Sequence, residues 1–96
     1  MAKVIPQNAP LLLRLYVAGN APNSLLAIAN ARAICDIHFA ARHHLEIVDS
    51  LKHPRRALAD GIIVTPTLLK LSPQPAQRLI GNLSDTSQVL LTLANE

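Results

Sequence analysis

The chain has 96 residues with a formal net charge of +3, and half of them are apolar while only 2% are aromatic. This length predicts a single domain with an aliphatic core. The basic excess is mild, and the sequence has no interleaved aromatic residues to stack bases, so nucleic-acid binding is not predicted. No apolar run approaches the roughly 18 residues of a membrane span, and the N-terminus lacks the apolar segment of a signal peptide. We therefore expect a cytoplasmic protein.

The single cysteine, Cys35, excludes a disulfide within the chain. It lies inside a helical pattern, which favours a small core residue. Disulfide chemistry needs a pair of thiols near the start of the first helix, and the loop at 18–23 contains no sulfur. A redox enzyme or sensor that works through Cys35 remains the alternative to a binding function.

The first elements follow a proline-containing lead-in at residues 1–10. Residues 11–17 are apolar except for Arg14, which predicts a strand buried on both faces, with the guanidinium reaching solvent beyond a packed stem. The loop at 18–23 then leads to a helix predicted from Ser24 to about Arg42, with Asn23 or Ser24 as its cap. Its apolar positions are predicted at Leu25, Ile28, Ala29, Arg32 (by its stem), Cys35, Ile37 and Phe39.

The second part of the chain predicts three more strands and two more helices. The strands are expected at 44–51, 68–71 and 76–81, and the helices at 54–60 and from Ser84 to about Ala94. Lys70 interrupts the apolar third strand, and we expect its ammonium group in solvent because burying an unpaired cation is costly. The segment at 72–75 is a proline-containing turn, so the last two strands form a hairpin.

The element order is β-α-β-α-β-β-α, and its first βα unit requires two parallel strands. A four-stranded mixed sheet flanked by helices results, which is similar to the thioredoxin-like fold. Thioredoxin-like proteins keep a cis proline just before the third strand, and Pro66 occupies that position. We expect Pro66 to lie close to the loop at 18–22, where small residues permit a close approach of two backbones.

The sequence contains no recognisable active site. The four histidines, His38, His43, His44 and His53, are not at metal-ligand spacing with a carboxylate or thiol, and the aspartates are scattered. No metal, cofactor or catalytic residue is predicted. We therefore expect a binding protein that is not an enzyme.

Six segments carry a specific pattern: LRLYVAGN at 13–20, PNS at 22–24, IVD at 47–49, LKHP at 51–54, TPTL at 65–68 and RLIGNLS at 78–84. In register, from about residue 11 to 93, they resemble the KaiB family of cyanobacterial clock proteins. Each motif alone is weak, and the combination is specific. The sensor domain of a clock-associated histidine kinase has a similar fold, but the KaiB family fits this length and these motifs better.

The resemblance implies a regulator that binds the ring of the clock ATPase KaiC and modulates its phosphorylation cycle. It also implies self-association as a dimer or tetramer, and an alternative, non-thioredoxin fold for the second half of the chain. The positions that it marks for partner contact or fold switching are Tyr16, Gly19, Asn20, Pro22, Asn23, Lys52, Pro66, Lys70, Pro73, Pro75, Arg78, Gly81, Thr92 and Ala94.

The chain also departs from the family pattern. A family triple proline is Pro73-Gln74-Pro75 here, and four positions at which members often carry Lys or Arg are Leu26, Ala29, Glu46 and Gly61. We therefore expect a paralogue that serves a divergent KaiC-like ATPase or a stress pathway. Thr92 and Ala94 replace a family glycine and aspartate, which predicts a more stable last helix and a larger thioredoxin-like population. Besides the ring-binding regulator and the redox protein that uses Cys35, the third hypothesis is a purely structural protein without a ring partner.

Overall fold

The computed structural model describes residues 10–94, so the predicted lead-in lies almost wholly outside the described residues. The elements are β1 Leu11–Val17, α1 Pro22–His38, a 3-10 turn Ala40–Arg42, β2 His43–Asp49, α2 Pro54–Ala59, β3 Thr67–Ser72, β4 Gln77–Ile80 and α3 Thr86–Leu93. This order confirms the predicted β-α-β-α-β-β-α arrangement.

The four strands form one sheet in the order β2-β1-β3-β4. β1 is parallel to β2, with Leu11 opposite His43 and Val17 opposite Asp49, and it is antiparallel to β3. β3 and β4 form the predicted antiparallel hairpin. β1 therefore lies inside the sheet, which explains why its sequence is almost continuously apolar.

The two faces of the sheet have separate apolar cores. Leu13 and Leu15 of β1 point to the face covered by α1 and α3, where Val89 and Leu93 are also buried. Tyr16 points to the opposite face, where it packs with Val48, Ala57 and Leu69 beneath α2. Because successive side chains of β1 point to opposite faces of the sheet, this one strand contributes to both cores.

The buried face of α1 differs from the prediction. Leu25 and Ile37 are 51% and 74% exposed, respectively. Cys35 is buried as predicted, and the other buried positions of α1 are mostly small: Ser24, Ala27, Ala31 and Ile34. Small side chains let the helix approach the sheet closely, so burial follows residue volume here rather than hydrophobicity.

The ends of α1 also differ from the prediction. The helix begins at Pro22 with no side-chain cap, and the hydroxyl of Ser24 accepts a hydrogen bond from the backbone of Ala18 instead. A proline in the first turn costs no hydrogen bond, which accounts for the earlier start. The helix ends at His38, and a separate 3-10 turn covers the segment to Arg42 that was predicted as helix.

The last helix begins two residues after the predicted Ser84. The carboxylate of Asp85 caps it by accepting from the backbone of Gln88 at 3.1 Å. Ala94 is the residue that ends the helix rather than part of it. The cap fixes the start because it satisfies an amide that has no partner within the helix.

Pro66 lies where the prediction placed it. The peptide bond from Thr65 to Pro66 is cis, as are those before Pro73 and Pro75. β3 begins at the next residue, Thr67, which pairs with Tyr16 near the carboxyl end of β1. Pro66 therefore lies beside the end of β1, next to the loop that follows that strand.

Candidate partner-binding surface

Three turns and one glycine meet at one edge of the sheet, which we call the loop edge. They are the turns at 18–21, 50–53 and 62–66, together with Gly81. β1 and β2 are parallel and end here, whereas β3 runs in the opposite direction and begins here. The backbone of Gly81 donates to the carbonyl oxygen of Pro66 at 3.0 Å, which joins β4 to the same edge.

Asp49 holds the first two turns together. Its Oδ1 accepts hydrogen bonds from the backbone of Leu51 at 2.9 Å and of Gly19 at 3.1 Å. These bonds, the one from Leu51 first, lower the pKa of the carboxyl group, which is therefore ionised at neutral pH. Gly19 has φ of +52°, and a Cβ there would lie 3.4 Å from Cδ1 of Leu51. The glycine thus provides both the turn and the close approach.

The loop edge exposes large apolar side chains. Leu51 is 71% exposed, Ile63 93% and Val64 47%. Lys52 and Asn20 are exposed beside them. Because the carboxylate of Asp49 is committed to the two turns, the surface offers apolar contact and a cation. Such a combination is suited to binding another protein.

Seven of the fourteen positions marked by the resemblance lie at or next to the loop edge, namely Gly19, Asn20, Pro22, Asn23, Lys52, Pro66 and Gly81. Of the others, Pro73 and Pro75 lie in the β3–β4 turn at the opposite edge of the sheet. Thr92 and Ala94 lie in and just after the last turn of α3. Tyr16, Lys70 and Arg78 lie within the strands.

The structure also shows a network of polar side chains beneath α2, which sequence reasoning missed. Arg14 donates to Oε1 of Glu46 at 2.8 Å and to Oδ2 of Asp60 at 2.9 Å. Arg56 donates to the same Oε1 at 2.8 Å, and the hydroxyl of Tyr16 donates to Asp60. The residues come from β1, β2, α2 and the residue after α2, so only their pairing in the fold reveals the network.

The network shifts the titration of its members. Hydrogen bonds from Arg56 and then Arg14 lower the pKa of Glu46 to about 2. The hydroxyl of Tyr16 and then the guanidinium of Arg14 lower the pKa of Asp60, while burial and the neighbouring Asp60 raise the pKa of Tyr16. Both carboxylates are therefore ionised and both arginines charged at neutral pH.

The prediction that the charged ends of Arg14 and Lys70 lie in solvent is wrong. The side chain of Arg14 is only 26% exposed, because its guanidinium is held by Glu46 and Asp60. Lys70 is 1% exposed, and burial lowers its pKa. The three residues that precede it on β3, Thr67, Leu68 and Leu69, are buried as well, so Lys70 lies in the interior part of this strand.

Arg78 joins β4 to the end of α2. Its guanidinium donates to the carbonyl oxygens of Asp60 at 2.8 Å and of Gly61 at 3.0 Å. The last carbonyls of a helix have no partners within it, so an arginine placed there satisfies them and complements the helix dipole. Arg78 acts as a clamp on α2.

Cys35 is placed unfavourably for redox chemistry. It is 1% exposed on the buried side of α1, and burial, followed by the charge of Asp36, raises its pKa to about 11. The reactive form of a cysteine is the thiolate, which this environment disfavours.

Within residues 10–94, no three His, Cys, Asp or Glu side chains are grouped so as to hold a metal ion. No helix in that range is long and apolar enough to cross a bilayer.

Comparison with known proteins decides the family. The KaiB domain family matches residues 14–94 of the chain. The chain belongs to the KaiB family. It is 48% identical over 82 residues to the circadian clock oscillator protein KaiB of Prochlorococcus marinus, covering 85% of this chain and 69% of that protein. The circadian clock protein KaiB3 of Synechocystis sp. is 47% identical over 83 residues, covering 86% of this chain and 81% of that protein.

Solved structures agree with the fold of this KaiB-family chain. The N-terminal domain of SasA from Synechococcus elongatus is similar with a TM-score of 0.74 and 26% identity, covering all of this chain and 96% of that one. Chloroplastic thioredoxin z is similar with a TM-score of 0.64 and 19% identity, covering 78% of this chain and 67% of that one. The thioredoxin-like architecture is thereby confirmed.

Proposed function

We propose that this KaiB-family protein is a non-enzymatic regulatory module that binds the ring of a KaiC-like ATPase. It modulates the phosphorylation cycle of that ATPase, or a stress pathway that depends on it, in the cytoplasm. The proposal is carried by the family match, since relatives nearly half identical to this chain are circadian clock proteins. The exposed apolar loop edge supports it, because such a surface suits protein contact.

The contact residues in this proposal are those that the loop edge exposes. Leu51, Ile63 and Val64 supply apolar area, and Lys52 and Asn20 supply polar contacts around it. The turn residues Gly19, Pro66 and Gly81, and the first residues of α1, Pro22 and Asn23, shape the surface. An apolar centre surrounded by a polar rim is the usual anatomy of a protein interface.

We assign the remaining marked positions to the folded state rather than to contact. Tyr16, Lys70 and Arg78 are engaged within the domain, and Pro73, Pro75, Thr92 and Ala94 lie away from the loop edge. In this proposal they set the balance between the thioredoxin-like fold and an alternative fold of the second half. Self-association as a dimer or tetramer belongs to the same proposal.

The test is to measure binding of the full chain to a KaiC-like protein from the same organism by calorimetry or pull-down. We expect Ile63→Asp to weaken binding at least about tenfold, because it places a charge in the apolar centre of the surface. Leu91→Asp is the matched control, since Leu91 is 75% exposed on α3, and it should bind like the natural chain. Absence of binding to any KaiC-like protein of that organism would overturn the proposal.

A second readout concerns regulation itself. The phosphorylation of the KaiC-like protein is followed over time with and without this chain, and with Ile63→Asp. We expect the natural chain and Leu91→Asp to change the time course, and Ile63→Asp to leave it close to that of the ATPase alone. A purely structural protein would leave the time course unchanged in every case.

A further inference from the structure

Leu51 is a large apolar side chain that the fold holds in place without burying it. It is 71% exposed, so it adds little to either core of the sheet. Its backbone N–H nevertheless donates to Oδ1 of Asp49 at 2.9 Å. The backbone N–H groups of Lys52 and His53 donate to the carbonyl oxygen of Asp49 at 3.1 Å and 2.9 Å. Ordering an exposed apolar group costs conformational freedom, and a contact outside the domain can make use of that order.

The turn that carries Leu51 is also tied to the end of β1. The backbone N–H and the hydroxyl of Ser50 both donate to the carbonyl oxygen of Val17, each at 2.8 Å. Oδ1 of Asp49 accepts a second hydrogen bond, from the backbone N–H of Gly19 at 3.1 Å. One carboxylate oxygen therefore fixes the turn after β1 and the turn after β2 relative to each other.

Gly19 supports the side chain of Leu51 directly. A Cβ at residue 19 would lie 3.4 Å from Cδ1 of Leu51, so this methyl group rests against the bare backbone of the glycine. Most of the remaining side chain faces solvent. The position of Leu51 is thus set by Gly19 beneath its side chain and by Asp49 along its backbone.

Ile63, another large side chain of the loop edge, is held differently. It is 93% exposed, and the part of the chain that the structure describes makes no hydrogen bond to its backbone. The nearest backbone bonds of this turn belong to Ile62, whose N–H donates to Ala57, and to Val64, whose carbonyl oxygen accepts from the hydroxyl of Thr67. A partner must therefore remove more freedom from Ile63 than from Leu51 when it binds.

We propose that Leu51 is the preorganised anchor of the loop edge and that Asp49 is its positioning residue. This role rests on the proposed function, since the partner is the KaiC-like ring that the loop edge binds in that proposal. The carboxylate of Asp49 acts through Leu51, which it holds in the bound position before the ring arrives. An anchor that is already in position loses little freedom on binding, which strengthens the contact. An exposed leucine in this role requires an apolar pocket on the ring.

Methyl relaxation measured by NMR on the full chain alone tests the anchor without any partner. The methyl order parameters of Leu51 should exceed those of Leu58, a leucine of α2 that is 80% exposed. Asp49→Ala should lower them to the level of Leu58. Asp49→Asn should preserve them, because its amide oxygen can accept the same two hydrogen bonds. A Leu51 side chain that is as mobile as Leu58 in the natural chain would overturn the proposal.

Binding to the KaiC-like protein, measured by calorimetry, tests the positioning role. Asp49→Ala should weaken binding at least about fivefold and Leu51→Ala at least about tenfold, whereas Asp49→Asn should bind nearly as well as the natural chain. Gln74→Ala is the matched control, because Oε1 of Gln74 accepts from the backbone two residues later in the turn at the opposite edge of the sheet, at 3.0 Å. It should bind like the natural chain.

A double variant separates positioning from a general loss of structure. Because Asp49 acts through Leu51, adding Asp49→Ala to Leu51→Ala should weaken binding by less than about a further twofold. Circular dichroism verifies that each variant keeps the fold. A natural chain that binds no KaiC-like protein would overturn the proposed function. Binding by the natural chain, with equal losses in Asp49→Ala and Gln74→Ala or with additive losses in the double variant, would overturn the role of Asp49 alone.

Discussion

The hydroxyl oxygen of Tyr16 lies 2.5 Å from Oδ2 of Asp60, although 44 positions separate the two residues in the chain. The same carboxylate oxygen accepts from Arg14, two residues before Tyr16 on β1. Alternate residues of a strand point to the same face, so β1 presents both donors to the end of α2. This relationship fixes α2 against the sheet.

Replacing Tyr16 by phenylalanine removes one donor to Asp60 while keeping the ring in the core. We expect Tyr16→Phe to lower the free energy of unfolding by about 1–2 kcal/mol, since a hydrogen bond to a charged group is lost. Urea unfolding monitored by circular dichroism measures the change. Asp36→Asn, at an exposed carboxylate, is the control and should change stability by less than about 0.5 kcal/mol. An unchanged midpoint in Tyr16→Phe would contradict the role of this bond.

Glu46 makes stability depend on acidity. Its pKa is about 2 in the folded protein and 4.5 in its ordinary state, so its contribution is complete above pH 4.5 and is lost as the pH falls towards 2. The side chain is 37% exposed and therefore screened by solvent, which reduces the expected loss to about 1 kcal/mol. Glu46→Gln should show a correspondingly shallower decline between pH 5 and pH 2 in urea unfolding. Identical pH profiles for the two chains would rule out this contribution.

Lys70 makes stability depend on pH on the alkaline side, and here too stability should rise with pH. Burial lowers its pKa in the folded protein, so the unfolded chain binds more protons and the Lys70 contribution to stability grows as the pH rises towards 10.5. The unfolding free energy of the natural chain relative to that of Lys70→Met should therefore rise between pH 7 and pH 10. Lys52→Met alters an exposed lysine and should show no such trend. A constant difference across this range would contradict the effect of burial.

The final turn of α3 tests the predicted preference for the thioredoxin-like state. Thr92→Gly combined with Ala94→Asp should weaken α3 by about 1 kcal/mol, through the low helix propensity of glycine and a carboxylate at the negative end of the helix. Backbone chemical shifts in dilute solution measure the helical population of Thr86–Leu93 in each chain, and this population should be lower in the double variant. Thr92→Ala provides the control and should retain the helix. Extended shifts for these residues in the natural chain would refute the prediction.

Periodicity and turn chemistry predicted every strand and α-helix within residues 10–94, with ends displaced by up to four residues. These signals are local, since a strand that is buried on both sides and a proline in a first turn are visible within a few residues. The position of Pro66 could be predicted because it depends on the order of the elements. The buried side of α1 could not be predicted, because the sequence places apolar residues all around that helix.

The polar network beneath α2 depends on the pairing of strands that are distant in the chain, which no local sequence pattern indicates. Arg14 and Glu46 are opposite one another in the parallel register of β1 and β2, 32 positions apart in the chain. A shift of the β1–β2 register by one residue would have placed the side chain of Glu46 on the other face of the sheet. The same reason explains the wrong expectation for Arg14, since a lone cation in an apolar strand reveals nothing about the carboxylates that the fold brings to it.

The polar network divides the chain into two parts of different character. Its ion pairs all join residues between Arg14 and Asp60, so β1, β2 and α2 are cross-linked among themselves. The segment from Thr67 onward is attached to the first part through the β1–β3 ladder, apolar packing, the two bonds of Arg78 to the end of α2 and the bonds of Asn82 to Asn30 and Asn23 of α1. A rearrangement of that later segment would therefore break backbone ladder bonds and the Arg78 clamp while every ion pair of the network stayed intact. The first part would keep its own electrostatic framework throughout such a change.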